Sequence, residues 1–250
     1  MRASKETLTL WADERLEEEL LKRFSGSGRV VGWRLLRFHV KRLAWGSVIA
    51  GALGLKRLLD MVVAGTLLVV LAPVYLLIAL LIRLESPGSV LFRQTRVGMW
   101  GLLFSMWKFR SMYVDAEERK KELERQNEMV GGVTFKMKSD PRITRVGKYI
   151  RKGSLDELPQ LWNVFKGEMS LVGPRPPVPK EVALYTLADR RRLEVKPGIT
   201  CIWQVSGRSE IPFDQQVELD VAYIQSQSLW LDIVLLAKTI PAVVLGKGAY

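Results

Sequence analysis

From Met61 to Ile82 the chain reads MVVAGTLLVVLAPVYLLIALLI, with no charged side chain. At about 22 residues this run is long enough to cross a bilayer core. A helix apolar on every face suits lipid better than the core of a soluble domain. Pro73 lies near its middle, where it removes a helical hydrogen bond and crowds the preceding turn, so a kink is predicted. Lys56 and Arg57 precede the run, and Arg83, Arg93 and Arg96 follow it. A simple span carries its basic excess on one side. Symmetric basic flanks predict a re-entrant helix that enters and leaves on the same face.

Two other stretches have interfacial character. RVVGWRLLRFHVKRLAW mixes Arg and Lys with Trp, Leu and Phe, the composition of a helix lying on anionic lipid. LWLDIVLLAKTIPAVVL carries Asp232 and Lys238, so it is predicted to lie on a surface and not to span. ESPGSVLFRQTRVG and LLFSMWKFRSM are rich in β-branched and aromatic residues. With Gly98 and Gly101 between them they predict a strand pair. VDAEERKKELERQNE, with Glu117 and Lys121 at helical spacing, predicts a solvated helix, a lid or exposed arm. MRASKETLTLWADERLEEELLKRF is charged and predicts a surface helix, and no secretory signal pattern is expected in it. The pattern as a whole is α+β: mainly helical, with a short β-hairpin, a re-entrant membrane helix and interfacial amphipathic helices.

Charge narrows the partners. The 250 residues carry a net charge of +12, which calls for an anionic partner such as nucleic acid, anionic lipid or a phosphorylated substrate. No helix-turn-helix, RNA-recognition or zinc pattern is visible, so nucleic acid is not expected. Cys201 is the only cysteine and His39 the only histidine. An internal disulfide and a Cys/His zinc site are thereby excluded.

The chemistry concentrates in SLDELPQLWNVFKGEMSLVGPRP, residues 154–176. Ser154 and Glu157 form an S-x-x-E capping box, and Leu158, Leu161, Trp162 and Phe165 make an apolar stripe behind it. Pro159 conflicts with a helix capped at Ser154, and a start nearer Asp156 removes the conflict. Either start puts Asp156 and Glu157 at a helix N-terminus, where free N–H groups lower a carboxylate's pKa and attract phosphate. An ionised Asp156 could attack phosphorus or hold Mg²⁺. Arg142, Arg145, Lys148, Arg151 and Lys152 lie just upstream, and Arg175 stands between Pro174 and Pro176. Restrained by its prolines, Arg175 suits a bidentate phosphate or base contact.

From about residue 56 onward the chain resembles the bacterial sugar transferases, the monotopic phosphoglycosyl transferases. The resemblance rests on KRLLD, GSVLFRQTRVG, KFRSM, DPRITRVGKYIRKGSLDELPQLWNVFKGEMSLVGPRP, KPGITCIWQVSGR and ELDVAYI. It implies transfer of a sugar 1-phosphate from a UDP-sugar to polyprenyl phosphate, with release of UMP, at the cytosolic face of the bacterial inner membrane. It makes Asp156 the nucleophile and the Mg²⁺ ligand, and leaves Glu157 to position metal or substrate or to manage a proton. It matches Arg151 to a phosphate-binding arginine, Arg175 with Pro174 and Pro176 to the nucleotide site, and Lys108 and Arg110 to a basic pair. It divides the chain into an N-terminal basic amphipathic extension (1–55), a re-entrant helix (56–84) and a catalytic domain (85–250). Membrane lipids are expected partners and a homo-oligomer is allowed. Two positions depart from the pattern. Ala72 replaces a frequent serine, and Cys201 stands in place of a glycine, where it is read as a small packed residue. The competing expectation is a non-catalytic membrane protein of polysaccharide assembly that retains the fold.

Overall fold

The computed structural model describes residues 18–19, 22, 28–123, 140–207 and 211–245. The predicted N-terminal surface helix, apart from residues 18–19 and 22, and the far end of the 114–128 arm, including the Lys121 side chain, lie outside the described residues. The chain divides into two units, Met1–Gly54 and Leu55–Tyr250. In the first unit the described backbone is helical from Gly28 onward. Trp33, Phe38, Leu43 and Trp45 are exposed.

Helix α1 (Gly28–Val70) continues into the second unit and ends at Leu71, where α2 (Ala72–Glu85) begins. Pro73 falls in the first turn of α2, where its missing N–H is not needed. The predicted break is therefore present, and the two helices meet at a 59° bend. No single described helix is long and apolar enough to cross a membrane; Leu36–Val70 and Ala72–Glu85 meet that test only as a bent pair.

Strands β1 (Leu91–Val97) and β2 (Leu103–Phe109) form the predicted antiparallel hairpin, pairing Leu91 with Phe109 and Val97 with Leu103. Its turn runs through Gly98 and Gly101, with Trp100 and Gly101 both at positive φ. Then come α3 (Ala116–Leu123), α4 (Arg145–Lys152), a 3-10 turn (Leu155–Glu157), α5 (Gln160–Lys166) and β3 (Ser170–Val172). After α6 (Pro179–Val182), β4 (Gly198–Thr200) pairs parallel with β3. Helices α7 (Ile202–Ser206), α8 (Phe213–Gln225) and α9 (Leu229–Leu245) complete the described chain.

Two apolar clusters organise the second unit. One gathers Ala64, Met106, Leu161, Val164, Val172, Tyr223 and Leu235 around β3, α5 and α9. The other packs Ile78 and Ile82 of α2 against Phe109 and Ile150, so α2 lies against the elements on either side of the carboxylate pair.

Helix α5 turns only the Leu158 and Leu161 half of its predicted stripe inward. Leu161 is buried, but Trp162 and Phe165 are 47% and 42% exposed and stack on each other. The inward positions are taken by Gln160 and Asn163. Asn163 is fully buried; its side-chain oxygen accepts from the Trp107 N–H at 3.0 Å and its amide donates to the Ser105 carbonyl at 2.8 Å. It joins α5 to the outer edge of β2. Asn163→Ala leaves both backbone groups without partners, and a loss of about 2–4 kcal/mol is expected. Chemical denaturation checks this.

The flanking cations also differ from expectation. Lys56 pairs with Asp232 at 2.5 Å, and Arg57 donates to the Val164 and Phe165 carbonyls at the end of α5. Arg83 donates to Gly88, Arg93 lies over the Trp107 ring and Arg96 donates to Pro176. Each of the five has a partner within the protein. Their symmetry is therefore a feature of the fold, and it gives the re-entrant reading no support from lipid contacts.

Candidate active site

The carboxylate pair sits where α2, α4, α5 and the hairpin converge. Helix α4 begins at Thr144, whose hydroxyl accepts from the Gly147 N–H; Glu85 at the end of α2 accepts from the Arg145 and Val146 N–H groups. Helix α4 ends at Gly153, and Ser154 then takes a left-handed conformation, φ 52°. That conformation replaces the predicted capping box, since Ser154 makes no side-chain cap bond. The chain turns once as the 3-10 segment Leu155–Glu157, and α5 starts after Pro159. The carboxylates therefore occupy a separate tight turn before the helix. The Tyr75 hydroxyl of α2 donates to the Leu158 carbonyl at 2.6 Å and braces this turn from below. Tyr75→Phe removes one of the two partners of that carbonyl, which keeps the Leu161 N–H at 3.0 Å. It is expected to lower stability by about 1 kcal/mol, measured by thermal melting.

The turn separates the two acids. Glu157 accepts from Lys108 at 2.6 Å and lies 3.6 Å from the Arg175 guanidinium. Burial alone would raise its pKa, but Lys108 and then Arg175 outweigh burial and hold it at about 2. Among the described residues the Asp156 carboxylate has no hydrogen bond or ion pair within 4 Å. Burial, with the Glu157 charge adding to it, raises its pKa above the usual carboxylate value; Lys108, Arg151 and Arg175 pull the other way. The helix-start argument predicts a lowered pKa for Asp156, and the fold reverses it. No regular helix begins at that residue, and the site is drier than a first turn on a surface.

Arg175, 36% exposed at its side chain, projects from a turn whose carbonyls are bound from outside. Pro174 accepts from the Gly198 N–H, Pro176 from Arg96 and Pro177 from the Val97 N–H. A Cβ on Gly198 would overlap the backbone of Gly173, so only glycine allows β3 and β4 to approach this closely. A cavity of about 10 Å³, near the room one water needs, lies between Arg96, Lys108, Glu157, Gln160, Arg175 and Pro176.

The structure thus brings Asp156, Glu157, Lys108, Arg175 and Pro176 together. Arg151, on the last turn of α4, acts on Asp156 through its charge. Pro174 lies in the same turn, its carbonyl facing β4. Arg110 is placed elsewhere, its guanidinium donating to the Ser86 and Pro87 carbonyls. Arg142 is taken up by Asp140, and Cys201 is buried beside Gln204 as a packed residue. Sequence reasoning missed Gln160 and Arg96. Gln160 is a polar residue opening an otherwise apolar helix, and Arg96 sits in the RQTR run of β1; those were the available signals. Among the described residues no three His, Cys, Asp or Glu side chains gather into a metal cluster.

Comparison with known proteins identifies a family. The family model for bacterial sugar transferases matches residues 51–246. The chain belongs to the bacterial sugar transferase family. It is 46% identical over 219 residues to the galactosyl transferase CpsE of Streptococcus agalactiae serotype III (strain NEM316), covering 87% of this chain and 47% of that protein. It is 42% identical over 198 residues to the exopolysaccharide production protein ExoY of Rhizobium meliloti (strain 1021), covering 78% of this chain and 88% of that one. The UDP-glucose:undecaprenyl-phosphate glucose-1-phosphate transferase of Escherichia coli (strain K12) is 42% identical over 204 residues, covering 78% of this chain and 41% of its own length. The chain thus spans about half of CpsE and most of ExoY.

Proposed function

We propose that this chain transfers a sugar 1-phosphate from a UDP-sugar to polyprenyl (undecaprenyl) phosphate, releasing UMP, as a membrane step of bacterial glycoconjugate or exopolysaccharide synthesis. The observation that carries the reading is the asymmetry of the two acids. Asp156 stands without a partner among Lys108, Arg151 and Arg175, while Glu157 is held ionised by two of those cations. An Asp156 carboxylate oxygen attacks the sugar-bearing phosphorus; the bond to the bridging oxygen breaks and UMP leaves with that electron pair. The aspartyl phosphosugar is then attacked by an oxygen of the lipid phosphate, and the carboxylate is regenerated. Lys108 and Arg175 stand where charge on non-bridging phosphate oxygens needs neutralising.

The donor set fits one hard cation. Mg²⁺ typically takes one or two carboxylates together with substrate phosphates, and Asp156, with no competing partner, would hold it. Once bound, it would neutralise phosphate oxygens. The bend at Leu71 and the exposed Trp162–Phe165 stack, whose Phe165 ring lies against Gly65 of α1, support a re-entrant α1–α2 pair with the site at the headgroup level, on the cytosolic face of the inner membrane. The direct test is a UMP-release screen across UDP-sugars with polyprenyl phosphate and Mg²⁺. One donor should release UMP. Without acceptor, intact mass should show a phosphosugar increment that acceptor removes. Release from no donor would overturn the reading.

A further inference from the structure

The Gly173–Pro177 turn presents Arg175 yet has few donors of its own, because Pro174, Pro176 and Pro177 lack an N–H. It has to be held through its carbonyls, by donors from outside. Two are backbone groups, Gly198 and Val97. The third is a side chain: Arg96 donates to the Pro176 carbonyl at 2.9 Å. Arg96 is 9% exposed and, among the described residues, has no carboxylate within 4 Å. Its remaining contacts are with Gln94, whose side-chain oxygen accepts from Nε at 3.1 Å and from the second terminal nitrogen at 2.7 Å. Gln94 and Arg96 alternate along β1, and Lys108 stands opposite Phe92, so all three share one face of the hairpin. That face holds Glu157 through Lys108 and the turn through Arg96. A buried cation is costly to desolvate, and burial, followed by the nearby Arg175 charge, pulls the Arg96 pKa down to about 10. A fold that keeps such a group uses its geometry.

We propose that Arg96, aligned by Gln94, is a positioning residue that locks the Pro174–Arg175–Pro176 turn onto the hairpin and so sets Arg175 over Glu157. The proposal rests on the transfer reaction above for its kinetic readout, and on the fold alone for a second readout. The full chain is purified with Arg96→Gln, Arg96→Lys and Gln94→Leu, each also combined with Arg175→Ala. UMP release is measured with the donor that the unaltered protein uses. Deuterium uptake is followed in the segment 170–182, with 213–225 as a distant control.

With Arg175 present, Arg96→Gln should lower kcat by about tenfold or more, the scale of a misplaced contact. In the Arg175→Ala background it should add less than about twofold, because the two residues act as one unit. Arg96→Lys should recover part of the loss, and Gln94→Leu should act in the same direction as Arg96→Gln. Uptake should rise in 170–182 and stay unchanged in 213–225. Losses that multiply equally in both backgrounds, or unchanged uptake at 170–182, would overturn the proposal. If Arg96→Gln does not fold, Arg96→Lys and Gln94→Leu decide by the same criteria. If the unaltered protein releases UMP from no donor, the transfer reading fails, and the uptake comparison still decides the clamp.

Discussion

Asp156→Asn is expected to abolish UMP release, by about a thousandfold or more, with the protein still folded and in the membrane fraction. Asparagine keeps the shape of the side chain but has no oxygen able to form the acyl phosphate, and loss of a nucleophile is among the largest single-residue effects in enzymes. The structure adds a second, opposite expectation for stability. Asp156 is half-buried with no hydrogen bond or ion pair among the described residues, and that burial raises its pKa, so the folded state disfavours its charge. A neutral isostere should therefore melt no lower than the unaltered protein. Glu157→Gln should behave differently. It removes an ionised acid that Lys108 and Arg175 hold at about 2, leaving two cations facing a neutral amide, and it should melt lower. The pair of melting curves checks the asymmetry without any substrate. Turnover in Asp156→Asn above about one part in a hundred would remove this residue as nucleophile.

Local features were legible in the sequence. The hairpin follows from β-branched and aromatic runs around Gly98 and Gly101, and the helix break from a single proline. The capping box was not legible, because S-x-x-E predicts a cap only if a regular helix follows; here Pro159 delays α5 and Ser154 turns left-handed. The partners of the flanking cations were hidden for a different reason. The partners of Lys56, Arg57 and Arg96 lie 80 to 176 residues away, at Asp232, Val164, Phe165 and Pro176. Lipid was the only acceptor the linear pattern could offer them. The same distance hides Asn163 and Gln160, whose inward orientation depends on the unpaired edge of β2 and on the cavity under Glu157. For the candidate site, the sequence set Asp156 and Glu157 side by side and Arg175 downstream. What it could not show was which carboxylate is neutralised, since that depends on Lys108 crossing from the hairpin.

Breaking the Lys56–Asp232 pair should damage the fold strongly. Both side chains are nearly enclosed, and Asp232 also accepts from the Tyr223 hydroxyl at 2.7 Å, whose single proton is shared with the Val172 carbonyl at 3.1 Å. Asp60, one turn further along α1, accepts from the Leu171 N–H at 3.1 Å. These contacts tie the C-terminal part of α1 to β3 and α9. Lys56→Met leaves a buried carboxylate without its cation, and about 3–5 kcal/mol of stability should be lost. Lys56→Met combined with Asp232→Leu should recover most of that loss, because two apolar side chains of similar volume remove both charges together. Single substitutions that each cost less than about 0.5 kcal/mol would show the pair to be incidental. The consequence reaches the chemistry. Helix α2 follows α1 through the bend at Leu71 and carries Tyr75, which holds the Leu158 carbonyl directly behind the carboxylates. Loosening α1 in Lys56→Met should therefore lower kcat more than it raises the donor KM, although Lys56 touches no residue of the site.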